Sequence, residues 1–132
     1  MIDNNDDAPV VLIVEDVEET RDGIEGLLNV DGYRVDAARD EQDAVTRAVR
    51  RNPNLILVSL SNRDGDVIAA ARRIRRRAQL SEDIPVVIFS IESVAEGGEV
   101  EIGENVYITR PDNFDQLRSL LRRLLNRAVP TG

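Results

Sequence analysis

RNPNLILVSL, residues 51–60, decides the fold. After the polar lead-in that ends in Pro53-Asn54, Leu55 to Val58 are apolar without a break, and Ser59-Leu60 close the run. A strand with one wet face needs an apolar residue only at every second position, so an unbroken run of this length marks a strand covered on both faces. Two more runs read the same way, VVLIV at residues 10–14 and PVVIF at 85–89. Weaker strands are expected at Tyr33 to Ala37, after the Asp31-Gly32 turn, and at Val106 to Thr109, after a glycine-bearing loop.

Between the strands, apolar residues recur at helical spacing: Ile24, Leu27 and Leu28, then Ala44, Val45, Ala48 and Val49, then Val67, Ile68, Ala71 and Ile74. A last helix carries Phe114, Leu117, Leu120, Leu121, Leu124 and Leu125, a stripe wider than one sheet face requires; core packing with an exposed chain end is the first reading of it, and a homodimer interface through Leu117, Leu121 and Leu124 is the second. The segment from Glu92 to Glu104 should hold a fourth helix, yet it contains Gly97, Gly98, Gly103 and five glutamates. Each internal glycine costs about 1 kcal/mol relative to alanine, so that helix is expected to be short or irregular. Alternating β and α units of this size imply right-handed crossovers and a doubly wound α/β sandwich of three layers. Its parallel five-stranded sheet is expected in the order 2-1-3-4-5, with ligands outside the carboxyl ends of the strands.

Composition narrows the chemistry. The 132 residues suit one domain, expected over residues 10–128, with a disordered tail at 1–9 and a short one at 129–132. No apolar run approaches the about 20 residues of a membrane span, and the acidic start MIDNNDDAP is unlike an export signal, so a cytoplasmic, membrane-free protein is expected. There is no cysteine, histidine or lysine, and all 17 basic residues are arginine. Thiolate, imidazole and Schiff-base chemistry are therefore excluded, and carboxylates, hydroxyls and guanidiniums remain. A net charge of −8 argues against binding nucleic acid. The arginine run RRIRRR, Arg72 to Arg77, reads as a solvated or ion-paired helix face.

The expected strand ends carry Glu15-Asp16, Ser59, Ser90 and Arg110-Pro111. Adjacent carboxylates at a strand end suit a hard cation such as Mg2+. Taken alone, Glu15 and Asp16 with Glu18 and Glu19 are also what the positive end of a helix dipole attracts. Together the stretches VLIVEDVEETRDGIEGLL, RNPNLILVSL, IPVVIFS and VYITRP resemble the response-regulator receiver domain of two-component signalling, from about Val10 to Leu125. The resemblance implies a flavodoxin-like receiver fold. It also implies that Glu15 and Asp16 match the magnesium-binding pair, that Ser90 and Tyr107 match the switch hydroxyl and aromatic, and that Ser59 occupies the place of the phosphoryl-accepting aspartate. Arg110 stands where the family has lysine, and the resemblance implies a cis bond to Pro111.

The family's reaction is attack by a carboxylate on a phosphoryl group, with a divalent ion and a cationic side chain holding the phosphoryl oxygens. A serine at position 59 cannot form the acyl phosphate, and the loss of one carboxylate leaves at most weak Mg2+ binding. Arg110 is expected to pair with Glu15 or Asp16 as a bidentate substitute for the cation. The expectation is a stand-alone pseudo-receiver that is not an enzyme and requires no cofactor. It is expected to act as a phosphorylation-independent protein-interaction module for a sensor kinase or downstream effector. Two rivals are a Toprim-like Mg2+ site built from Glu15 with Asp64 and Asp66, and a receiver phosphorylated at Asp64 or Asp66.

Overall fold

The structure, a computed structural model, describes residues 8–60, 64–89, 99–101, 103–109 and 114–128, with the backbone alone for 64–66, 99–101 and 127–128. Its elements are β1 Val10–Glu15, α1 Glu18–Val30, β2 Arg34–Ala38, α2 Glu41–Arg50, β3 Leu55–Ser59, α3 Asp64–Arg77, β4 Val86–Phe89, β5 Glu99–Glu101, β6 Val106–Thr109 and α4 Phe114–Ala128. The sheet runs β2-β1-β3-β4-β6-β5. Its first five strands are parallel in the expected doubly wound order, and β5 adds an antiparallel edge beside β6. Residues 1–7 of the expected tail at 1–9, the expected tail at 129–132 and residues 92–98 of the expected fourth helix lie outside the described residues, while Pro9 is tied to β2 by the Arg34 N–H at 2.9 Å. Residues 99–101 of that segment are strand rather than helix, a correction consistent with a composition poor in helix formers.

Every parallel strand feeds both faces, because successive side chains point opposite ways. Leu12, Val14, Ile56, Val58, Val86, Ile88, Val106 and Ile108 pack with Ala44, Val45 and Ala48 of α2 and Val67, Ala71 and Ile74 of α3. Val11, Ile13, Leu55, Leu57, Val87, Phe89 and Tyr107 pack with Ile24 and Leu28 of α1 and the leucines of α4. This double coverage is the reason for the unbroken apolar run in RNPNLILVSL. Asn54 sets the register just ahead of it: its N–H donates to the Val10 carbonyl at 2.8 Å, and its Oδ1 accepts from the Val10 N–H at 2.8 Å. The Asp31-Gly32 turn is present where expected, with Gly32 at φ +94°, a conformation that glycine adopts without steric cost.

Two expectations fail on burial. Leu117, Leu121 and Leu124 are 0%, 0% and 4% exposed and belong to the intramolecular core, so they offer no surface for a homodimer. Burying each contributes about 1.5–3 kcal/mol, and this is the physical reason for the wide stripe. Val49, expected on the sheet-facing stripe of α2, is instead exposed at the helix end.

The arginine run is largely the ion-paired face expected. Arg73 forks onto Glu41 with two bonds of 2.8 Å, Arg77 reaches Glu41 and Gln42, and Arg72 approaches Glu104 at 3.7 Å. Arg75 departs from that reading. It is buried and donates to the backbone carbonyls of Glu104 at 2.5 Å and Ile84 at 2.8 Å.

Candidate functional site

Parallel pairing of β1 with β3 sets Glu15 opposite Ser59 at the carboxyl edge of the sheet. The Ser59 hydroxyl donates to Glu15 Oε1 at 2.8 Å, and the Val17 N–H donates to Glu15 Oε2 at 2.9 Å. The second bond has a local cause. Val17 precedes α1 and has no side chain able to cap it, so the carboxylate two residues earlier takes up one N–H at the helix entrance. Glu18 and Glu19 occupy the first turn, where the helix dipole favours negative charge.

Glu15 is only 3% exposed. Burial pushes its carboxyl above the ordinary glutamate value, the Val17 N–H and the Ser59 hydroxyl oppose that rise, and the neighbouring Asp16 carboxyl adds to it. Asp16 itself is exposed. Sequence reasoning missed Arg21, whose Nη1 donates to the Glu15 backbone carbonyl at 3.0 Å. Its place one helical turn beyond Val17 was the available signal.

The receiver fold implies a divalent cation at this edge, and the side chains described there do not fit one. Both Glu15 oxygens are engaged by neutral donors of the chain, and a hydroxyl stands where a third carboxylate would complete the donor set. Among the described residues no group of three acidic side chains is placed to hold a metal ion.

Tyr107 lies on β6, opposite Val87 of β4, 8% exposed and packed into the cluster that α4 covers. Phe89, at the end of β4, meets Phe114 edge-to-face at 6.0 Å between ring centres. Ser90, Arg110 and Pro111 lie outside the described residues, as do the side chains of Asp64 and Asp66. The expected pairing of Arg110 with the acidic residues and its cis bond to Pro111 therefore fall outside them too. Among the expected site residues the structure thus brings together Glu15, Asp16 and Ser59, and sets Tyr107 two strands away from β3.

A doubly wound five-strand parallel sheet with an acidic residue closing its first strand defines the class, a receiver-type α/β domain. The family model described as response regulator receiver domain matches residues 11–122, and the chain belongs to that family. It is 32% identical over 123 residues to the KDP operon transcriptional regulatory protein KdpE of Escherichia coli, covering 92% of this chain and 53% of that protein. It is likewise 32% identical over 126 residues to the phosphate regulon transcriptional regulatory protein PhoB of Pseudomonas aeruginosa, covering 91% and 53%. The chain thus spans about half the length of these curated relatives. Among solved structures, the signal receiver domain of a signal transduction histidine kinase from Syntrophus aciditrophicus superposes with a TM-score of 0.74 at 25% identity. That match covers 95% of this chain and 96% of the other. The family match accounts for β4 and β6, which a Toprim-like site leaves unexplained. No helix among the described residues is long and apolar enough to cross a membrane.

Proposed function

We propose that this chain is a pseudo-receiver, a phosphorylation-independent interaction module in two-component signalling that engages a sensor kinase or a downstream effector through its shape and surface. The observation that carries this reading is the Ser59 hydroxyl bonded to Glu15 at 2.8 Å, at the end of the central strand. A hydroxyl cannot give the acyl phosphate that a receiver's aspartate forms, and with no histidine in the chain only the neighbouring carboxylates could act as a base for it. On this reading the chain has no reaction of its own, and the Glu15–Ser59 bond holds the edge in one arrangement where a receiver would pass between two.

Amide NMR spectra recorded with and without Mg2+ and beryllofluoride, a mimic of the acyl phosphate, test the proposal. The expected spectra superimpose. Saturable shifts at Glu15, Ser59 and Tyr107 would instead mark a working phosphoryl site and refute it.

A further inference from the structure

The turn between α1 and β2 holds Asp31-Gly32, one of three Asp-Gly pairs in the chain. Asp22-Gly23 sits inside α1 and Asp64-Gly65 opens α3, so of the three only Asp31-Gly32 lies outside regular secondary structure. Glycine has no side chain to shield its nitrogen or restrict its backbone, which makes such a pair open to attack on itself. The Gly32 nitrogen bonds to Cγ of the protonated Asp31 carboxyl, and the carboxyl hydroxyl departs as water with the glycine N–H proton, leaving a succinimide ring. Water reopens the ring at Cγ to restore aspartate. Attack at the backbone carbonyl carbon instead gives isoaspartate, whose main chain runs through the former side chain and is longer by a carbon.

Arg118 of α4 stands across this reaction. Its Nε donates to Asp31 Oδ2 and its Nη2 to Asp31 Oδ1, both at 2.7 Å. The planar fork engages both carboxylate oxygens and fixes their plane. Asp31 has φ −79° and ψ 0°, so the Gly32 nitrogen lies beside the Asp31 nitrogen and is turned away from the side chain. Ring closure needs the peptide to swing round and the carboxyl to turn toward it, and the second motion breaks the fork.

The backbone is the weaker restraint. The Gly32 N–H donates to the Asn29 carbonyl at 3.0 Å, a single bond at a helix end beside an exposed glycine, where fraying costs little. The fork does not fray with α1, because Arg118 is carried by α4 between the buried Leu117 and Leu121.

We propose that Asp31-Gly32 is an isoaspartate-forming modification site that Arg118 holds shut, so that release of the fork starts the reaction. The added carbon falls just ahead of β2, where the Tyr33 N–H donates to the Leu28 carbonyl at 3.1 Å and the Arg34 N–H to the Pro9 carbonyl at 2.9 Å. The pairing of Val10 with Arg34 that begins the β1–β2 ladder is therefore the first to be disturbed. The site is separate from Glu15 and Ser59, and the inference does not depend on the pseudo-receiver reading.

The test ages the intact wild type, Arg118→Gln and Arg73→Gln in warm neutral buffer. Isoaspartate is quantified by protein isoaspartyl methyltransferase labelling and assigned to residues 22, 31 and 64 by peptide mapping. In Arg118→Gln isoaspartate at residue 31 should form at least about tenfold faster than in the wild type, since no charge-assisted fork has to break before the ring closes. Arg73→Gln removes a fork of 2.8 Å on Glu41, on the other face of the sheet, and should leave the rate at residue 31 unchanged. Equal rates in Arg118→Gln and the wild type would overturn the assignment. So would a rise shared by residues 22 and 64, or one reproduced by Arg73→Gln, because either would trace the reaction to general loosening of the fold.

Discussion

Among the described residues, each edge of the sheet buries one charge, Glu15 or Arg75, and neither has a buried ion-pair partner there. At the carboxyl edge the Glu15 carboxylate accepts from a hydroxyl and a backbone N–H; at the amino edge the Arg75 guanidinium donates to backbone carbonyls. Both are held by neutral dipoles, which cost less to desolvate than a second charge, though the buried Arg75 Nε has no acceptor among the described residues. They differ in what they can do next. Burial raises the pKa of Glu15 and lowers that of Arg75, against the attraction of Glu82 and Glu104. A carboxyl can relieve such pressure by taking up a proton, whereas a guanidinium stays charged at any ordinary pH. The carboxyl edge can therefore change its charge, and the amino edge keeps its own.

The sharpest way to break that contrast is Arg75→Met, which keeps the stem and removes the donors. Leaving the carbonyls of Glu104 and Ile84 unsatisfied should lower unfolding free energy by about 3 kcal/mol, read from urea denaturation. A change below about 0.5 kcal/mol, the range of an ordinary surface substitution, would show that Arg75 braces nothing.

Ser59→Asp probes the other edge with a smaller effect. A third carboxylate against buried Glu15 should cost about 2 kcal/mol without metal, and millimolar Mg2+ should recover it by binding the folded state alone. The wild type should melt at the same temperature with and without Mg2+. A wild-type midpoint that rises with Mg2+ would remove the distinction between the two proteins.

Ser59→Ala should cost about 1 kcal/mol at neutral pH, because a buried carboxylate oxygen loses its donor. The hydroxyl favours charged Glu15, so the loss should be full where Glu15 is ionised and shrink as pH falls through its raised folded-state value. A loss that is constant with pH would mean that Ser59 acts through packing.

The smallest effect belongs to the exposed network between the faces of α2 and α3. Hydrogen bonding from Arg73 holds Glu41 below its ordinary value. A depressed carboxyl contributes stability above its unfolded pKa and loses it as pH falls through the folded one. Arg73→Gln should therefore cost about 0.5 kcal/mol at neutral pH, with the difference from wild type vanishing in acid below the carboxylate range.

The strands and their order were legible because double burial leaves a mark in every residue of β1, β3 and β4. Glu15, Asp16 and Ser59 were legible as a group because parallel pairing brings consecutive strand ends to one edge. The inward turn of Arg75 was not, since its acceptors are backbone carbonyls that no side-chain pattern encodes. Nor was β5 legible, because three residues pairing at a sheet edge leave no period to read. The leucine stripe of α4 was legible as core packing, and only the second reading of it fails: Leu117, Leu121 and Leu124 cover the same sheet face as α1 rather than a partner. Arg21 escaped although its place one helical turn beyond Val17 was a signal, because its acceptor is the backbone carbonyl of Glu15.

The central claim is that the hydroxyl at the end of β3 has removed phosphoryl acceptance. Incubation of the intact protein with acetyl phosphate and Mg2+, followed by intact-mass measurement before and after hydroxylamine, tests it most directly. The account predicts an unchanged mass for the wild type under conditions that label Ser59→Asp. A wild-type mass higher by one phosphoryl group, and lost on hydroxylamine treatment, would contradict it.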